Sequence, residues 1–537
     1  MEKRIELLDC TLRDGAYIVD AKFGTPAIKG IISKMQEANV EIIECGWLKN
    51  TPHVEGTSFF HVPDDVIQYI TKRDERVTYV TMIDWDRYDL SYLPECDHKS
   101  IDAIRVVFPH GKHREGIEVA KQIRDKGYQI YLQAANTLAY SNDDLKDLAS
   151  AINELNPVAI SVVDTFGAMY EDDLDRIIEV LDGCLDRHIK LGFHSHNNQQ
   201  LSFALTMHFV ERLLKMDRQC IVDASLCGMG RGAGNATTEL VTSYLNKKHS
   251  GNYDMNAVMD AIDMYMEGFK EKFSWGYSTP YFIAGLYCCH VNNIAYLLKN
   301  HRTNARDMRN IIESLSEDDR KKYDYDLLEE KYLENQNRIV DDEETINALR
   351  DKFKGKEILF IAPGKSVTEQ EEKIKKYIEE KKPVVIGINA IHPDYDFDYL
   401  FLIGAVRYEY AKSVYPEKFN AVKRILLSSI KTVPGSNEMV INFNRVIKRG
   451  WEHFDNAVIC GLRFMDQLNV TDITLAGFDG FKNKYNESYA DASLPTLNPD
   501  NKWDELNEEI TDMFLDFKKT TETTMSIKFL TESIFNK

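Results

Sequence analysis

Over about the first 240 residues, short runs rich in β-branched and apolar residues alternate with longer amphipathic stretches. The candidate strands are RIELLDCT, VEIIECGW, VTYVTMID, AIRVVFP, YQIYLQAAN, AISVVDTFG, IKLGFHSH and CIVDASLCG. Between them, segments such as PAIKGIISKMQEAN, EGIEVAKQIRDKG and LSFALTMHFVERLLKM carry apolar residues three and four apart, the spacing of one helix face. Parallel strands need helical crossovers, and eight strand-helix units close a sheet on itself, so an α/β chain opening with a (β/α)8 TIM barrel is expected.

In such barrels the chemistry gathers where the strands end. The expected ends are polar: Asp9, Thr11, Arg13 and Asp14 after strand 1, Glu44 on strand 2, Gln133 and Asn136 on strand 5, Asp164 and Thr165 on strand 6, His194 and His196 on strand 7, Asp223 on strand 8. Any one of these is ordinarily a turn former; their convergence from separate strands is what points to a site.

Residues 251–345 then read as a helical extension to a barrel domain of residues 1–250, with a boundary expected between Glu329 and Lys356. Residues 346–537 start a new pattern, KEILFIAPGKSV, PVVIGINA, DYLFLIG, RILLSS and ITLAGFDGF, which predicts a smaller, Rossmann-like open α/β sheet. The turn IAPGKSV lies between a strand and a helix, where backbone amides are able to hold a phosphate.

Composition narrows the function. A formal net charge of -20 opposes binding to nucleic acid or to an anionic membrane. There is no run of about 18 apolar residues, and the N-terminus enters a strand pattern directly, so a cytoplasmic location is expected. The nine cysteines form no C-x-x-C pair, which argues against a disulfide framework or zinc knuckle.

The stretch LGFHSHNN places His194 and His196 two residues apart on one strand, so both imidazoles share a face. An isolated H-x-H is more often a pair of surface histidines. With the carboxylate of Asp14, however, the pair makes a mixed oxygen and nitrogen donor set suited to Mn, Fe, Co or Zn, with positions left for a 2-keto acid. Arg13, beside that carboxylate, is suited to neutralising an oxyanion.

The motif DCTLRDG (Asp9 to Gly15) resembles the signature of the DRE-TIM metallolyases. VVDTFGAM (Val162 to Met169), GFHSHNN (Gly192 to Asn198) and VDASLCGMGRGAGN (Val222 to Asn235) resemble the matching segments of its 4-hydroxy-2-oxovalerate aldolase branch. The resemblance implies a divalent-metal aldolase that splits a 4-hydroxy-2-keto acid into pyruvate and an aldehyde, or joins them. By motif matching it makes Asp14, His194 and His196 metal ligands with Mn or Mg as the ion, Co or Zn being alternatives; Asn235 is a further candidate ligand. Arg13 would stabilise the enolate oxygen, Thr165 would contact the substrate carboxylate, and Glu44 would be a supporting acid or a buried barrel residue. The family implies a homodimer, and in some members the helical region docks an aldehyde dehydrogenase.

One departure bears on mechanism. The aldolases place a histidine two residues after RDG, where this chain has Tyr17. A free tyrosine, with a pKa near 10, is a poor base, so the base is open between Tyr17, a metal-bound water and Tyr287 in IAGLYCCHVNN. The second half faintly resembles Rossmann-like domains of nucleotide-sugar or lipopolysaccharide-type glycosyltransferases, which implies a nucleotide or nucleotide-sugar ligand and a place in unusual-sugar or surface-glycan metabolism. Two other readings are a Claisen-type acyl-CoA condensing enzyme or lyase of the same superfamily, and a non-catalytic nucleotide-binding or regulatory scaffold.

Overall fold

The structure, a computed structural model, describes residues 4–301, 303–431, 435, 437–452, 455–482, 485–496 and 502–536. The chain forms two compact units, Met1–Ile294 with Glu317–Lys322, and Ala295–Ser316 with Tyr323–Lys537. The helical stretch that follows the barrel is thus divided between them.

The first unit is a closed, all-parallel barrel of eight strands: β1 (Ile5–Asp9), β2 (Ile42–Leu48), β3 (Thr78–Asp84), β4 (Ala103–Phe108), β5 (Gln129–Ala134), β6 (Ala159–Asp164), β7 (Lys190–Ser195) and β8 (Cys220–Ala224). β1 pairs with both β8 and β2, which closes the ring. Each predicted strand falls where its run of Val, Ile and Leu stands, because a strand covered on both faces is apolar almost throughout. Two crossovers depart from the expected repeat. After β2 the chain makes a two-residue strand, Phe59–Phe60, and a 3-10 helix, Pro63–Tyr69; after β3 it makes only a 3-10 turn, Leu90–Tyr92. Neither stretch, HVEGTSFFHVPDDVIQY nor DRYDLSYLPECD, carries a helical apolar period long enough for an α-helix.

The barrel interior holds both apolar residues and a charged knot. Arg105 from mid-β4 is 1% exposed, and it donates to Oε2 of Glu44 at 2.9 Å and to Oδ2 of Asp223. Glu44 Oε2 also accepts from Nε of Arg13 at 2.8 Å. Charges out of water survive only when paired in this way.

The second unit is built on a seven-stranded parallel sheet: β9 (Ile358–Ile361), β10 (Val384–Ile388), β11 (Tyr399–Leu402), β12 (Lys423–Leu427), β13 (Glu438–Ile441), β14 (Asp472–Ala476) and β15 (Ser526–Phe529), in the order β13-β12-β11-β10-β9-β14-β15. Sequence patterning found five of these. It missed β13, four residues long, and β15, an edge strand whose residues are at least partly exposed throughout and so lack an apolar signal. Among the described residues no helix is long and apolar enough to cross a membrane.

Candidate metal centre

Asp14 ends the short helix Thr11–Asp14 that follows β1, and its side chain is 1% exposed. His194 is on β7 and His196 immediately follows it. Nε2 of each imidazole lies 3.7 Å from the same carboxylate oxygen, Oδ2 of Asp14. Oxygen and nitrogen donors about 2 Å from one cation stand about 3 to 3.5 Å apart, so the three atoms are close to the spacing of a shared ligand set. That oxygen is buried with no hydrogen-bond partner among the described residues, as expected of a donor kept for a cation.

The far nitrogens fix the rings. Nδ1 of His194 is 3.0 Å from Oδ2 of Asp223, and Nδ1 of His196 is 3.0 Å from the carbonyl oxygen of Asp164. Each partner accepts a hydrogen bond from Nδ1–H, which keeps the proton there and leaves the Nε2 lone pair for a metal. Burial, only partly opposed by Asp14, lowers the His196 pKa to about 4, so the ring is neutral at pH 7, the metal-binding form. Burial works to raise the Asp14 pKa, but the Arg13 guanidinium and the two imidazoles outweigh it and hold the carboxyl well below the usual range.

Arg13 is fixed at three points. Nη1 donates to Oδ1 of Asp14 at 2.7 Å, Nε to Glu44, and its carbonyl accepts from the indole of Trp47. Nη2 is buried and without a partner among the described residues, a guanidinium edge left for an anionic oxygen.

Asn235 closes the rim. The loop Gly228–Asn235 zips onto the H-x-H segment through a bridge between His196 and Asn235 and a bond from the Asn197 amide to the carbonyl of Gly234. Gly234 has φ +81, and a Cβ there would lie 1.9 Å from the carbonyl oxygen of Gly228, so only glycine fits. A Cβ on Gly230 would lie 2.5 Å from Nδ2 of Asn235 and 2.9 Å from Oδ2 of Asp14, which places the asparagine amide beside the carboxylate. Oδ1 of Asn235 is buried without a partner among the described residues.

The other expected residues sit less centrally. Thr165 accepts from the amide of Asn136 through Oγ1 at 2.7 Å, which ties the ends of β5 and β6 together. Tyr17 is 42% exposed and lies under Arg231, 3.7 Å from guanidinium carbon to ring centroid. The protein packed around its phenol raises its pKa further, which is the wrong direction for a base. Tyr287 packs under Arg320 at 5.1 Å.

Sequence reasoning passed over three participants. Arg105 was hidden in AIRVVF, although a lone arginine in an apolar barrel strand is itself a signal. Arg231 and His290 were the others: burial, with Arg231 and His196 nearby, brings His290 down to about 4 and leaves it neutral at pH 7. Val291, its neighbour, packs against the rim at Gly232.

The HMGL-like family profile matches residues 4–264. This part of the chain is an HMGL-like domain. The family is the one expected from DCTLRDG, and among its relatives is a 4-hydroxy-2-oxovalerate aldolase of Thermomicrobium roseum, 26% identical over 48% of this chain and 70% of that protein. An oxaloacetate decarboxylase of Mycobacterium tuberculosis is 24% identical over 49% of this chain and 76% of its own length. A solved N-terminal domain from Bacteroides vulgatus is 24% identical, covers 54% of this chain and 95% of that one, and superposes with a TM-score of 0.47. None of these matches reaches far beyond the barrel half. The named relatives are carbon–carbon lyases, and the Asp14, His194 and His196 set of this barrel is compatible with a divalent metal.

Proposed function

We propose that the barrel cleaves a 4-hydroxy-2-keto acid to pyruvate and an aldehyde, or runs the same reaction as a condensation. The observation that carries this reading is the meeting of Asp14, His194 and His196 next to the unpartnered Nη2 of Arg13. When bound, the cation supplies Lewis acidity to the keto acid. Two imidazoles with one carboxylate favour manganese over magnesium, and cobalt or zinc suit the same donors.

The chain's own residues account for the rest. Arg13 faces the negative charge that develops on the C2 oxygen as the C3–C4 bond breaks and its electron pair moves onto the pyruvate fragment. Asp223 and the Asp164 carbonyl hold the two imidazoles in one tautomer. Cleavage also needs an acceptor for the C4 hydroxyl proton, which later returns to C3 to complete the methyl group. Neutral His290 suits that role better than Tyr17, through Nδ1 once it releases the Asn292 amide from which it accepts at 3.1 Å.

A second reading shares the first half of this chemistry. Loss of CO2 from oxaloacetate creates the same charge on the C2 oxygen and requires no hydroxyl proton acceptor. Tyr17, standing where the aldolases carry a histidine, favours this second reading. The deciding experiment is deuterium exchange into the methyl group of pyruvate with manganese or magnesium, followed by assays with oxaloacetate and with pyruvate plus aldehydes. Exchange by the wild type and its near-complete loss in His194→Ala are expected; equal exchange in both would remove the lyase reading.

A further inference from the structure

The second unit contains a cavity of about 230 Å³ that the lyase chemistry does not use. It lies beyond the carboxyl ends of β9, β10, β11, β12 and β14, reached through Gly364, Asn389, Gly404, Ser429 and Asp479. The chain builds β9 first, adds β10 to β13 on one side, then crosses back to place β14 and β15 on the other. The connections leaving β9 and β14 therefore diverge to opposite faces, the arrangement that opens a ligand crevice in parallel sheets.

The phosphate cradle expected at IAPGKSV is already filled. Oδ2 of Asp479, from the β14 turn, accepts from the Ser366 amide at 2.8 Å, and Oδ1 accepts from the Ser366 hydroxyl at 2.5 Å. The helix starting there, Ser366–Glu369, has only four residues. An anion cannot share those donors with a carboxylate.

The anion position is instead at Arg407. Nη1 of Arg407 is buried with no partner among the described residues, and Arg407 lines the cavity. Its guanidinium is 5.1 Å from the centroid of the Tyr489 ring, which holds it in place. Arg407 is in the first turn of the ten-residue helix Ala405–Val414, which starts at Gly404 without a side-chain cap. A buried guanidinium donor left unpaired costs free energy that an anionic ligand would restore.

The remaining walls describe the rest of the ligand. Phe443, Val458, Phe478 and Met513 form an apolar surface suited to a flat ring. Asp479, with one bond to each oxygen from Ser366, keeps lone pairs for hydroxyl donors. We propose that this cavity binds a nucleoside phosphate, its phosphate on Arg407 and the open start of helix Ala405–Val414, its sugar hydroxyls on Asp479 and its base against the apolar wall. The inference concerns a separate cavity and does not depend on the lyase reading.

The test is calorimetric titration of the full chain, with chelator present to silence the barrel, using AMP, GMP, CMP and UMP, their diphosphates, and inorganic phosphate. At least one nucleotide is expected to bind with Kd below about 1 mM. Arg407→Gln should weaken it at least ten-fold, Arg407→Lys should weaken it less, and the exposed Lys376→Gln should leave it unchanged. The proposal is overturned if no nucleotide binds in that range, if both Arg407 variants bind as the wild type does, or if inorganic phosphate binds as tightly as any nucleotide. Should Arg407→Gln not fold, the Arg407→Lys comparison decides.

Discussion

Oδ2 of Asp223 lies 3.0 Å from Nδ1 of His194 and also accepts from Arg105. One carboxylate oxygen thus joins the His194 imidazole to the charged knot inside the barrel. Asp223→Asn should weaken that hold while preserving size. Manganese affinity, read by electron paramagnetic resonance titration, should fall about 10- to 100-fold. Unchanged affinity would show that His194 needs no such orientation.

Arg105 pairs with both Glu44 and Asp223. Replacing it by leucine leaves Glu44 with Arg13 alone and Asp223 with His194 alone, and unfolding in urea should show a loss of about 3–5 kcal/mol. A loss under 1 kcal/mol would mean that water reaches the knot.

Gly230→Ala tests the packing of the rim. The new methyl would lie 2.9 Å from Oδ2 of Asp14 and 2.5 Å from Nδ2 of Asn235. Metal binding should weaken at least about ten-fold, whereas the melting temperature of the chelated protein should move by only a few degrees. An unaltered metal titration would exclude the close approach.

Burial raises the Asp164 pKa to about 7, with the amides of Ala168 and Met169 opposing the rise. Its native state therefore holds a proton more tightly than its unfolded state. This contribution to stability is complete below about pH 4 and is lost as pH rises to 7. Asp164→Asn should remove it. The variant should gain on the wild type between pH 4 and 8 by at most a few kcal/mol, as measured by urea unfolding in chelator. A difference independent of pH would rule out titration of this group.

Proton transfer separates His290 from Tyr17. His290→Gln should lower aldol cleavage about 10²- to 10⁴-fold and spare oxaloacetate decarboxylation, because only the first reaction removes a hydroxyl proton. Tyr17→Phe should change neither by more than a few-fold. The reverse pattern would make the tyrosine the base.

The order of strand-like runs was enough to specify the barrel, since eight buried parallel strands need eight apolar segments at crossover spacing and little else. The H-x-H pair and DCTLRDG were likewise local, each keeping its residues within a few positions of one another at the end of one strand. Only the tertiary structure decided what those donors meet. Arg105 and Asp223 are 118 residues apart in the chain, and no local period records a charge pair formed across a barrel. The same holds in the second unit, where Asp479 occupies the Ser366 turn across 113 residues and moves the open anion position to Arg407. Backbone propensity is written in neighbouring residues, whereas the partner of a buried charge is chosen by whichever distant strand closure brings alongside it.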